Sequence, residues 1–314
     1  MKKQLIFLLC AIVSTSLLAE TIPNAPSKDV LAKYTKENQK MIKLGEDIIN
    51  NTNTHPLSKD FVGNDLTCSH CHIDGGKKPT IGSFVGTATI FPTYTKRKGT
   101  VQTLQDRILS CFPRSMNGKR PEVDTKVVIA MTSYITYLSN GLPIVAEPYN
   151  SATNPYYAKV WHEGSKKFMA MAKKATHKDY ESGKKLYAAQ CASCHQADGT
   201  GVKNTFPPVW GDRSHNIAAG LGQLHKLPTW LKANMPMGAE GTLSDKQAFD
   251  LAVYVNAQPR PSIDLMKRLD GYRDNINASK KVKDSRGKNT VRSHYEFYGL
   301  DVDVIRGDKL IPKD

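Results

Sequence analysis

The sequence predicts a mainly α-helical chain of two domains built on one repeated plan, and three observations carry that expectation. At 314 residues the chain has room for two compact domains rather than one. The pattern Cys-x-x-Cys-His occurs twice, at Cys68–His72 and Cys191–His195. Apolar residues at helical spacing lie before and after these copies. Only 39% of residues are hydrophobic, so the cores are small unless something other than side chains fills them. The 44 Lys and Arg against 29 Asp and Glu give a formal charge of +15, which suits nucleic acid, an anionic membrane or a small acidic substrate. No nucleic-acid motif accompanies it.

Lys2 and Lys3 precede an apolar run from Leu5 to Leu18, and polar sequence follows Ala19. This is the pattern of a secretory signal peptide, cut after about Ala19, and it predicts export to the periplasm. The run falls short of the roughly 20 apolar residues that an uncleaved anchor needs. Leu9 is too bulky before Cys10 for lipoprotein processing. Cleavage removes Cys10 of the six cysteines and lowers the charge from +15 to +13 with the loss of Lys2 and Lys3.

The first domain, residues 20–150, opens with a helix expected from about Asp29 to Asn50, where Met41, Ile42, Ile48 and Ile49 recur at helical spacing. A Gly- and Thr-rich loop follows the first motif. A helix is then expected near Val101–Phe112, and another over Lys126–Leu138, stopped by Asn140-Gly141-Leu142-Pro143. Pro143, Pro148 and Pro155 mark a linker. In the second domain, residues 151–260, Glu181–Cys194 reads as a helix leading into the second motif. Leu243–Ala257 reads as a closing helix with its N-cap at Ser244. The basic tail, residues 261–314, is expected to wrap the surface irregularly or to be mobile, and its role is unassigned.

Cys-x-x-Cys-His is the attachment signature of c-type haem. Two thiols three residues apart on a short turn reach the two vinyl groups of one haem, and the next histidine sits under the iron. Cys68 and Cys71 with His72, and Cys191 and Cys194 with His195, therefore predict two covalently bound haem c groups. Two class I cytochrome c-like domains follow, with haem supplying the missing apolar bulk. His70 reads as a spacer within the first motif.

The sixth iron ligands separate electron transfer from catalysis. Asn234-Met235-Pro236-Met237 lies between the second motif and the closing helix, as a distal-ligand loop of class I cytochromes c does; Met235 is the expected ligand and Met237 the fallback. Either methionine could instead pack against the porphyrin edge. The first domain has no matching Met-Pro. It has Cys111, the mature cysteine left over from haem attachment. On a helix, Val101, Leu104, Ile108 and Cys111 share a face that turns the thiol inward. Arg107, one turn earlier, favours the thiolate that both ligates iron and acts as a nucleophile. An inert buried cysteine is the alternative.

The stretch Gly63–His72, Phe84-Val85-Gly86, Phe91-Pro92, the segment around Arg97 and above all Cys111-Phe112-Pro113-Arg114-Ser115-Met116-Asn117-Gly118 resemble the dihaem thiosulfate dehydrogenase family, which includes tetrathionate reductases. The likeness covers about residues 35–260. It implies an oxidoreductase that reversibly joins two thiosulfate ions into tetrathionate. It implies His72 and Cys111 as the axial pair of the catalytic haem, Cys111 as carrier of a thiosulfate adduct, and Arg97 and Arg107 with Ser115 as sulfonate-binding residues. The alternative for Arg97, within Lys96-Arg97-Lys98, is a solvated basic face. The expected redox partner is a soluble or membrane-associated cytochrome. A dihaem electron carrier without a substrate is the competing reading. A sulfur-oxidation carrier subunit would place its cysteine in the last haem domain instead.

Overall fold

The structure, a computed structural model, describes residues 22–95, 100–146, 164–262, 295 and 298–309. The expected leader, Arg97, the centre of the linker and most of the tail lie outside the described residues. Among the described residues the regular elements are helices, short 3-10 turns and one two-stranded hairpin. In the first domain α1 (Lys28–Ala32) and α2 (Lys36–Asn50) precede the first motif. Antiparallel β1 (Thr93–Thr95) and β2 (Thr100–Gln102) lead into α3 (Leu104–Leu109), and α4 (Lys126–Tyr137) closes the domain. In the second, α5 (Gly164–Ala172) and α6 (His177–Gln190) precede α7 (Ala192–His195), which carries the motif. Then come α8 (Leu227–Asn234) and α9 (Asp245–Ala257). Among the described residues no helix is long and apolar enough to cross a membrane.

The repeated plan is visible where the first and last long helices of each domain cross. Ile42, Ile48 and Ile49 of α2 pack with Val127, Met131 and Ile135 of α4. At the crossing, a Cβ on Gly45 would lie 2.0 Å from the carbonyl oxygen of Ala130, and one on Gly183 would lie 2.0 Å from that of Asp250. Backbones this close exclude any side chain, so glycine sits at the same place in α2 and α6, facing α4 and α9. Tyr134 and Tyr254 flank the two crossings equivalently.

Three expectations are corrected. The helix expected over Asp29–Asn50 is two helices, because Thr35 accepts the amide hydrogen of Asn38 and starts α2 afresh. The helix expected near Val101–Phe112 is shorter: Val101 belongs to β2 and is 65% exposed. There Thr103 and Asp106 form a capping box that begins α3. Cys111 accordingly lies in the turn after α3 and is half-buried. Parts of the tail are built into the second domain. Tyr295 is fully buried with Phe168, Phe249 and Val253, and α10 (Val302–Arg306) places Ile305 in the same cluster.

The two domains meet through specific contacts. Ile81 packs with Leu227, Trp230 and Ala252. The Trp230 indole donates to the carbonyl of Cys71 at 2.9 Å, and the Asn234 amide donates to that of Ile81 at 3.0 Å. The first motif is thus tied directly to the second domain through the backbone of Cys71.

Candidate active site

The first motif begins as a 3-10 turn over Cys68–His70. The amide of Cys68 donates to Thr52 Oγ1 at 3.1 Å, and that of Thr67 donates to His70 Nδ1 at 3.0 Å. His70 is therefore a capping residue of the turn rather than a mere spacer. His72 Nδ1 lies 2.6 Å from the carbonyl oxygen of Gly82, and its ring stacks on Phe84 with centroids 4.1 Å apart. Donation from Nδ1 to that carbonyl leaves Nε2 with the lone pair an iron ligand needs. Burial, with a smaller push from the Arg107 charge, lowers the His72 pKa to about 4, so the imidazole is neutral. Burial also pushes the Cys68 and Cys71 thiols up to about 12.

Cys68, Cys71, His72, Arg107, Cys111 and Ser115 line one cleft of about 1000 Å³, including the open space at its mouth. Phe84, Ile90, Ile108, Phe112 and Met131 supply apolar walls. Of the residues expected here, Arg97 lies outside the described ones. Arg107 Nη1 donates to Cys111 Sγ at 3.0 Å, although α3 ends before Cys111. The expected one-turn relation therefore survives the shorter helix. Arg107 is exposed, so this cation also faces whatever enters the cleft. Two thiols three residues apart, a neutral oriented imidazole and an apolar wall fit haem c. Among the described residues no cluster of three or more His, Cys, Asp or Glu is arranged to hold a bare metal ion.

The second motif repeats the arrangement. His195 Nδ1 lies 2.9 Å from the carbonyl of Pro207, burial holds the imidazole pKa below its ordinary value, and burial raises the Cys191 thiol to about 11. Cys194 is half-buried beside it in sequence. Tyr187, Trp210 and Tyr254 pack together behind the motif. Met235 is the C-cap of α8 and packs against the Ile81 and Trp230 cluster, whereas Met237 is 69% exposed. The carbonyls of Gly82 and Pro207, the Phe84 stack and the Trp230 bond are parts of the sites that side-chain spacing did not single out.

Known proteins place both halves. Residues 58–144 match the SoxA/TsdA cytochrome c domain, and residues 180–259 match the cytochrome c domain. A thiosulfate dehydrogenase of Thiomonas intermedia (strain K12) is 33% identical over 277 residues, spanning 81% of this chain and 82% of that protein. One from Allochromatium vinosum is 36% identical over 231 residues, 69% of this chain and 80% of that protein. The solved thiosulfate dehydrogenase (TsdBA) of Marichromatium purpuratum, in its as-isolated form, is similar with a TM-score of 0.63 at 30% identity. That match covers 83% of this chain but 52% of the other, so this chain spans about half of that protein's length. Each matched domain contains one Cys-x-x-Cys-His motif, which makes both domains haem c-binding. With relatives of this identity aligned across both domains, the chain belongs to the thiosulfate dehydrogenase family of dihaem c-type cytochromes, oxidoreductases that act on sulfur compounds.

Proposed function

We propose that this chain is an exported, periplasmic thiosulfate dehydrogenase and tetrathionate reductase with two covalently bound haem c groups. In this reading His72 and Cys111 ligate the catalytic haem, and His195 and Met235 the electron-transfer haem. The observation that carries it is the 3.0 Å contact between Arg107 and the sulfur of Cys111, in the cleft that also holds Cys68, Cys71 and His72. The net reaction joins the outer sulfurs of two thiosulfate ions into one S–S bond and releases two electrons. Haem c supplies one-electron acceptor capacity beside the reacting sulfur.

The chain's own residues do the rest. The Cys111 thiolate forms an S–S bond to the outer sulfur of one thiosulfate, releasing the two electrons. A second thiosulfate attacks the substrate-derived outer sulfur of that adduct, and the Cys111 thiolate leaves as tetrathionate forms. Arg107, Ser115 and Arg97 hold sulfonate oxygens, for which a planar guanidinium is well matched. Reversal runs the same steps from tetrathionate with two electrons supplied by a soluble or membrane-associated cytochrome.

Steady-state assays in both directions test this reading; wild-type protein inactive in both favours an electron carrier. Two complete motifs also predict that mass spectrometry of protein matured in a competent host finds two haem additions, and fewer contradict it. Met235→Ala is expected to shift the potential of the second haem alone, within the roughly 0.8 V range that axial ligands control. Potentiometry that finds this shift with Met237→Ala instead assigns the ligand to Met237.

A further inference from the structure

We infer that the second haem domain braces the reactive loop of the first, and that Asn216 is a positioning residue for Cys111. The inference rests on Cys111 being the reactive group proposed above.

Residues 111–118 follow the end of α3, so their carbonyls have no helical partners and must find others. Phe112 and Met116 find them within the first domain: the carbonyl of Phe112 accepts from the Gly118 amide at 2.9 Å, and that of Met116 from the Gly63 amide at 2.8 Å. Between them, the carbonyls of Pro113 and Arg114 reach donors of the second domain, that of Arg114 being shared with the Asn117 amide at 3.4 Å. The Asn216 side-chain amide donates to Pro113 O at 2.8 Å and to Asn117 Oδ1 at 3.1 Å. Its backbone amide reaches Arg114 O at 3.4 Å. Asn64 spans the seam, donating to Ser115 O at 2.8 Å and to Ser214 O at 3.1 Å.

Asn216 is fully buried, and its Oδ1 accepts the amide hydrogen of Ala218 at 3.0 Å. That bond fixes the amide's orientation, so both hydrogens of Nδ2 point at acceptors of the other domain. A residue serving only its own fold would not place both donors across the interface. One of those acceptors belongs to Asn117, whose φ of +47° lies in the left-handed region. The second domain therefore satisfies the turn that carries Cys111 and the conformation that ends it. The loop bears a sulfur that must meet both a ligand site and a substrate, where a displacement of about 1 Å can cost roughly 10²-fold in rate.

The test uses the full-length holoprotein with Asn216→Ala and, because a buried amide is removed, Asn64→Ala as a second variant. Three quantities are read: kcat and KM for thiosulfate, hydrogen exchange of amides 112–118, and the potential of the second haem. The brace predicts that Asn216→Ala lowers kcat at least about tenfold with KM within about twofold. It also predicts exchange at Arg114, Met116 and Gly118 at least about tenfold faster, with the second haem's potential unchanged. Asn64→Ala moves the same readings less. Wild-type exchange and kcat in Asn216→Ala overturn the inference. So does a shifted or lost second haem, which makes Asn216 a fold residue of its own domain. If Asn216→Ala yields no holoprotein, wild-type readings in Asn64→Ala overturn it. Should the wild type show neither turnover nor a thiolate-ligated haem, the Cys111 reading fails, while hydrogen exchange still judges the brace.

Discussion

Cys111→Gly is expected to abolish turnover of thiosulfate and tetrathionate while leaving both haems attached and the second haem's potential intact. Cys68 and Cys71 line the same cleft, but both belong to the attachment motif and burial holds their thiols near 12. Cys111 is the cleft cysteine left for chemistry, and a guanidinium donates to its sulfur. An essential nucleophile costs several orders of magnitude in rate when removed, typically on the order of 10⁴ to 10⁶. Truncating a half-buried packing cysteine costs stability instead and leaves kcat largely alone. Steady-state assays of the purified dihaem variant separate these outcomes. Near-wild-type activity refutes the mechanism.

Arg107→Ala is expected to lower kcat/KM roughly 10²- to 10³-fold, the cost of removing one preorganised donor from developing charge. The side chain lines the cleft, is exposed and donates to Cys111 Sγ, so in the proposed mechanism one guanidinium serves both partners of the new S–S bond. Arg107→Lys retains the charge without the planar fork and should recover only part of the loss. The division between kcat and KM identifies the role. A rise in KM alone means that Arg107 only anchors the anion, whereas a fall in kcat means that it acts on the sulfur. Unchanged kinetics remove Arg107 from the site.

Much of this arrangement was legible in the sequence because covalent haem attachment demands fixed residue types at fixed spacing. Cys68–His72 and Cys191–His195 needed no structure to identify, and α4 and α9 followed from apolar periodicity and the Ser244 cap. The bonds that orient each histidine were not legible, since Gly82 and Pro207 contribute backbone carbonyls and no distinctive side chain. Val101 misled for another reason. Its spacing to Leu104 and Ile108 fits a helix, although the intervening Thr103 caps α3 and leaves Val101 in a hairpin. In the tail, one buried tyrosine and the short α10 anchor the segment without the long periodicity by which a helix is recognised. Asn216 stood beside no motif, and its partners lie about a hundred residues earlier.

The central claim is that Cys111 ligates the first haem as a thiolate. Electron paramagnetic resonance of the fully oxidised wild-type protein, compared with Cys111→Gly, tests it directly. The account predicts a low-spin signal of a thiolate-ligated haem that Cys111→Gly lacks, together with a second low-spin haem unchanged between the two. A wild-type spectrum with only ordinary His/Met or His/His signals, or a thiolate signal that persists in Cys111→Gly, contradicts it.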